Sequence, residues 1–283
     1  MQMPTKNALA FSLLLTIITT QAVAQSNPTF FATQDDKLYR YGFTGTIDTF
    51  VLNDGIAGMT TVPTGQTVGN MNGGATGGQI IALSTSTNNI VYRIDNPLSS
   101  APTLTQIGVY SSPGASLTFA GNKLVTVGSD SSGNAVLAQL NPADFTELAR
   151  GNLGMSGSPG GVAWQGGNNF LFTEALSDQL WINQPFNTSS TSIGNVIKHD
   201  YSALEMYQGT LYTTLMAVDP NGSPSLMVFG SLNQQTGAYT HIREIDKYTA
   251  GVTGLAVIDA VPEPATIFAA LFGLGALAAK RRR

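Results

Sequence analysis

Two histidines, His199 and His241, carry the only imidazoles in this chain of 283 residues. His199 adjoins Asp200, and His241 precedes Arg243 and Glu244. A hydrolytic metal site usually takes three ligands, so both histidines would have to meet in space with a carboxylate. Isolated, satisfied histidines explain both residues more simply. Nucleophilic catalysis is no better supported. Ser156 or Ser158 with His199 and Asp200 would complete a Ser-His-Asp set, but no G-x-S-x-G elbow occurs. The run Gly154-Met155-Ser156-Gly157-Ser158-Pro159 reads as a flexible connecting loop. The expectation is no catalytic residue and no bound metal.

Calcium is the one ion with candidate loops, because it takes six to eight oxygens from carboxylates, amides and carbonyls. Asp130-Ser131-Ser132-Gly133-Asn134 and Asp219-Pro220-Asn221-Gly222 supply such oxygens. Neither follows the D-x-[DN]-x-[DN]-G spacing, and Asx-turns account for both. Glycoside cleavage would need two carboxylates facing across one bond. Glu174, Asp178 and Glu205 are the candidates, and nothing in their spacing makes them converge. Four aromatic residues fall at strand positions: Trp164, Trp181, Tyr207 and Tyr212. Most strand aromatics pack in cores, but one lining an open face can stack on a sugar ring. Trp164 is the best candidate for a binding residue, because it lies in a strand expected nearest a central axis.

That axis comes from the repeats. Residues 30–258 show no long helical period. Short runs rich in Thr, Val, Ile, Tyr and Phe alternate with Gly, Asn, Ser and Pro, the pattern of an all-β domain. The runs recur in four-strand units beginning near Ile56, Ala115, Gly160 and Ser202. Corners between first and second strands are expected at Gly121-Asn122, Gly166-Gly167-Asn168 and Gly209-Thr210. The two ends are complementary fragments. Gly254–Ile258 reads as a first strand with nothing after it. Thr29–Thr33, Leu38–Gly42 and Thr46–Leu52 read as second, third and fourth strands with no first. Joined, they complete one more unit and leave no unmatched edge. The expected fold is a five-bladed β-propeller closed by N- and C-terminal strands in one blade, or six-bladed if the glycine-rich stretch 53–78 holds another. The rival is a two-sheet sandwich, which does not require complementary ends. The third strands, such as Val91-Tyr92-Arg93-Ile94-Asp95, resemble those of bacterial surface propellers with a Leu-Tyr-x-Ile-Asp pattern. That resemblance implies fold alone.

Both termini read as export signals. Lys6, the apolar run 8–18 and Ala22-Val23-Ala24 before Gln25 have the order of a signal peptide, with Ala22 and Ala24 framing the cleavage site. The C-terminus has three parts: Val261-Pro262-Glu263-Pro264, the uncharged run 265–279, and Lys280-Arg281-Arg282-Arg283. As a helix the run would span about 22 Å, short of a hydrocarbon core of about 30 Å. Local thinning or snorkelling of Lys280 would make up the difference, with the cations cytoplasmic. This tail resembles the PEP-CTERM sorting signal of Gram-negative bacteria. The resemblance implies recognition of the Pro-Glu-Pro motif by an exosortase-like membrane enzyme after cleavage by signal peptidase. It further implies a cell-surface or extracellular destination and an association with exopolysaccharide or biofilm matrix. The resulting division is a signal peptide over 1–24, an exported domain over 25–260 and a sorting segment over 261–283 that anchors the chain transiently.

Outside the two signals, eight Lys and Arg face 16 Asp and Glu, a net charge near −8. Nucleic acid is excluded as a partner, since phosphate backbones need a basic face. The chain has no cysteine, so an exported domain must be held by its core alone. The expected role is a binding or structural module, with extracellular polysaccharide as the candidate partner. The alternatives are a propeller-type polysaccharide lyase or glycoside hydrolase, and a passive surface scaffold.

Overall fold

The computed structural model describes residues 27–85, 89–112, 114–156, 159–174, 179–184, 190–194, 203–218, 224–247 and 252–259. One compact unit runs from Thr29 to Ile258. Its first three strands are β1 (Thr29–Gln34), β2 (Lys37–Tyr41) and β3 (Ile47–Val51). A second group holds β4 (Ile56–Thr61), the short pair β5 (Thr67–Val68) and β6 (Ala75–Thr76), then β7 (Ile80–Ser84), β8 (Ile90–Asp95) and β9 (Thr103–Val109). Next come β10 (Ser116–Ala120), β11 (Lys123–Ser129), β12 (Asn134–Leu140) and β13 (Glu147–Ser156). They are followed by β14 (Pro159–Gly166), β15 (Asn169–Glu174), β16 (Leu180–Asn183) and β17 (Thr191–Ser192). The last group is β18 (Ala203–Tyr207), β19 (Thr210–Val218), β20 (Pro224–Leu232) and β21 (Tyr239–Lys247), and β22 (Val252–Ile258) ends the domain.

These strands form five four-stranded antiparallel sheets and one two-stranded hairpin. Four sheets are consecutive meanders: β4-β7-β8-β9, β10-β11-β12-β13, β14-β15-β16-β17 and β18-β19-β20-β21. The fifth is β22-β1-β2-β3, in which the last strand pairs with the first, Thr29 opposite Ile258 and Phe31 opposite Ala256. The inner strands β4, β10, β14, β18 and β22 neighbour one another in a closed ring. This is a five-bladed β-propeller with its closing blade shared between the chain ends. The six-bladed alternative fails because 53–78 contains one inner strand, β4, and the β5–β6 hairpin inserted before β7. That hairpin is held down by Arg93, which donates to the carbonyls of Gly74 and Asn72 and pairs with Asp95. Burial raises the Asp95 carboxyl, but the Arg93 and Thr105 hydrogen bonds outweigh it and leave the group below the usual carboxylate range.

Strand periodicity explains the ring. Successive side chains of a strand point to opposite faces, and in a blade each face meets a different neighbour. Phe30 and Ala32 pack toward β18–β21, whereas Phe31 packs toward β4–β9. Ala163 faces Leu204 and Leu211 of the following blade, while Val162 faces Val125 and Val127 of the preceding one. Five apolar clusters result, one in each interface between blades. Second strands therefore bury both faces, as β7 does at all five positions, and read as continuous apolar runs. Outer strands such as β3 have a wet face and are only partly buried.

Two backbone details set the inner ring. The β18–β19 corner is Gln208-Gly209, both with positive φ (48° and 78°), one residue earlier than the sequence suggests. A tight hairpin matched to strand twist needs two left-handed residues in succession, and Thr210 is β-branched and already strand. Gly58 lies where β4 crosses β10, and a methyl there would sit 2.6 Å from Ser116 Cα. The obstruction is backbone, so it cannot rotate away. Gly58→Ala is expected to lower stability by about 1–3 kcal/mol, read as a shift in urea midpoint. An unchanged midpoint would mean that the two inner strands separate freely.

Candidate functional site

The C-terminal ends of four inner strands converge on a cavity of about 440 Å³. β4 contributes Thr60 and Thr61, β10 contributes Thr118 and Phe119, β14 contributes Trp164 and Gln165, and β18 contributes Glu205 and Met206. The fifth inner strand closes the ring behind them. Thr61 donates its hydroxyl to the carbonyl of Val257 at 2.6 Å, and at the other end of the strand Thr253 donates to Ile56. The volume lies within the roughly 300–1,000 Å³ typical of ligand pockets.

Trp164 is half-buried and donates Nε1–H to the carbonyl of Gly167 at 3.1 Å. The tight β14–β15 corner thus fixes the indole at the cavity wall. Gln165 donates to Gln234 Oε1 at 3.1 Å, and Gln234 donates to the Gly209 carbonyl at 2.8 Å. This amide chain links β14 to the outer loop of the next blade. Glu205 is 8% exposed, and its Oε2 has no hydrogen-bond partner. Burial alone pushes its carboxyl well above the ordinary range. It is the one carboxylate among the described lining residues, which include no lysine or arginine. An aromatic wall, hydroxyls, amides and one buried acid suit recognition of a small polar group with an apolar face.

Other residues singled out from sequence fall elsewhere. Trp181 packs with Phe170 and Phe172 between the second and third meanders. Tyr207 and Tyr212 join Phe30, Phe43 and Phe229 in an aromatic cluster beside the closing blade, with Phe30 and Phe229 centroids 4.7 Å apart. Glu174 lies opposite Pro159, where β14 begins, while the cavity lies where β14 ends. Trp164 lies five positions along the strand from Pro159, about 17 Å, so Glu174 and Glu205 do not face one another across a bond. His241 is exposed on the outermost strand β21, its Nδ1 3.5 Å from the Tyr239 hydroxyl. Asp130 accepts from the Ser132 and Asn134 amides, both at 2.9 Å, and from Asn134 Nδ2 at 3.2 Å. Its carboxylate is thereby engaged by its own turn. Among the described residues no group of three or more His, Asp or Glu is placed to hold a metal ion. Ser158, Asp178, His199, Asp200 and the Asp219–Gly222 loop lie outside the described residues. So do Ala22, Ala24 and Gln25 of the cleavage site, Val261–Pro264 of the sorting motif, and the run 265–279. No helix among the described residues is long and apolar enough to cross a membrane.

Thr60, Thr61, Thr118, Gln165 and Gln234 were not apparent as site residues from the sequence. The available signal was positional: all but Gln234 lie just before the corner or loop that ends a first strand, where a closed ring brings such residues together.

Residues 260–283 match the PEP-CTERM protein-sorting motif. The chain thus carries the sorting signal of an exosortase substrate, which marks it for export to a surface or extracellular location, and its body is a β-propeller. No curated protein sequence matches the chain. Among solved structures, it is similar to a chain of a nidogen/laminin complex, at 11% identity and a TM-score of 0.40, covering 82% of this chain and 98% of that one. It is also similar to the GH43B protein of the xyloglucan PUL of Bacteroides ovatus, at 14% identity and a TM-score of 0.41, covering 84% of this chain and 58% of that one.

Proposed function

We propose that this exported propeller is a surface binding module that holds extracellular polysaccharide in the cavity at the ends of its inner strands. The observation that carries the reading is Trp164, fixed by its own hairpin corner at the wall of a pocket whose lining also brings threonine hydroxyls and glutamine amides. Sugar rings offer C–H faces to flat aromatic surfaces and hydroxyls to amides and threonines, so both kinds of lining group find a use. Delivery proceeds by signal peptidase at Ala22-Val23-Ala24. The run 265–279 then holds the chain briefly at the membrane, Lys280–Arg283 stay cytoplasmic, and an exosortase-like enzyme acts near Val261–Pro264.

The test is a glycan array and matrix pull-down with residues 25–260 and with Trp164→Ala. Retention of one polysaccharide is expected, weakened tenfold or more in the variant, about 1.4 kcal/mol. Retention unaffected by Trp164→Ala would place the site elsewhere. No retention on any glycan would leave a passive scaffold, and shortening of the glycan during incubation would replace binding with hydrolysis or lyase chemistry.

A further inference from the structure

We infer that the cavity selects glycans carrying a free, protonated amine, with Glu205 as the counter-ion. The inference rests on the glycan-binding reading and adds a charge preference to it. Three observations carry it. Glu205 is more than nine-tenths buried, lines the cavity, and has an Oε2 with no hydrogen-bond partner. The described lining supplies no lysine or arginine to pair with it. Trp164 and Phe119 add aromatic surfaces to the same cavity, and the face of such a ring attracts a cation.

A buried carboxyl without a partner is costly, and native proteins leave few of them. The position has no structural use for an acid. Glu205 lies on the β18 face that also presents Ala203 and Tyr207, both packed against the apolar cluster of the closing blade. A methionine or leucine would fill such a place at lower cost. An ammonium group entering the cavity would give the carboxylate the charged partner it lacks, and charge-assisted bonds of this kind are about twice as strong as neutral ones. An N-acetylated sugar presents a neutral amide instead and forfeits that gain. The acidic balance of the domain, near −8, favours the approach of a cationic polymer in the same sense.

The test uses the full chain in a mild detergent and follows tryptophan fluorescence with a glucosamine oligomer, an N-acetylglucosamine oligomer of equal length and a lysine peptide. The glucosamine oligomer is expected to bind at least tenfold more tightly than the N-acetylated one. Glu205→Gln, nearly isosteric and neutral, is expected to abolish that preference while the N-acetylated oligomer still binds. A thermal melt of the variant checks that it is folded. Equal affinity for the two oligomers, or a preference unchanged in Glu205→Gln, overturns the inference and leaves the glycan reading standing. A lysine peptide that binds as tightly as the glucosamine oligomer overturns it as well, because the cavity would then read charge without sugar. If neither oligomer binds and the glycan array is also blank, the underlying reading fails with it.

Discussion

Ending the domain at Lys247, so that β22 is lost, is expected to abolish cooperative folding altogether. The deletion removes few residues, but they are the inner strand of the closing blade. β1 keeps β2 but loses its inner partner along Thr29–Gln34, and the backbone donors and acceptors on that side become an open edge. Two interfaces lose side chains at once: Leu255 and Val257 leave the cluster around Phe30, and Ala256 leaves the one around Phe31 and Ile56. Burial of a Leu or Val side chain is worth about 1.5–3 kcal/mol, so these losses alone approach the roughly 5–15 kcal/mol by which a domain is stable. The tethers from Thr61 to Val257 and from Thr253 to Ile56 go with them. The measurement is near-ultraviolet circular dichroism and a thermal melt of 25–247 beside 25–260. The truncated chain should show no sigmoidal transition and should bind a hydrophobic dye. A sharp melt within a few degrees of the parent would mean that the ring closes without the inner strand of its fifth blade.

The second large effect is a dependence of stability on pH that belongs to Glu205. An unfolded glutamate titrates near 4.5, and burial raises the folded group well above that. Between those two values the native protein holds a proton that the unfolded chain has released. The share of stability that depends on this group is therefore full below about pH 4.5 and falls as pH rises toward the folded value. Glu205→Gln removes this group from the titration. Measured as the urea midpoint at pH 5 and pH 8, the variant should gain on the parent as pH rises. The expected difference at pH 8 is about 1–3 kcal/mol, the cost of an unsatisfied buried group. Other titrating groups are common to both proteins and cancel in the difference. Parallel pH profiles would show that the carboxyl ionises freely in the folded cavity.

The two expectations share a cause in the ring of inner strands, and only part of that ring was visible in the chain. Continuous apolar runs such as Phe30–Ala32 and Ile80–Leu83 mark strands buried on both faces, and partly polar ones such as Ile47–Val51 mark outer edges. The incomplete ends, a lone first strand at Gly254–Ile258 and a unit lacking its first at Thr29–Leu52, predicted the closing blade. The stretch 53–78 was ambiguous because glycines mark turns without saying how many strands they separate. The corner at Gln208-Gly209 was misplaced by one residue because glutamine seldom adopts positive φ, and pairing across β18 and β19 imposes it here.

The site was less legible. Trp164 and Trp181 are both strand tryptophans that pack against the same cluster between blades, and their local sequences do not say that Trp164 also lines a cavity. Glu205 and Glu174 are both acids in strands, yet one lies at the cavity and the other at the far end of its blade. What a single strand dictates is local: alternation of side chains, turn chemistry, the lack of disulfides, the acidic balance and the order of the terminal signals. Each follows from neighbours within a few residues and can be read without knowing the fold. Convergence is different, because it depends on contacts between residues 40 to 200 positions apart. Only closing five blades into a ring brings Thr61, Thr118, Trp164 and Glu205 to one cavity, and only that packing strips water from the Glu205 carboxyl.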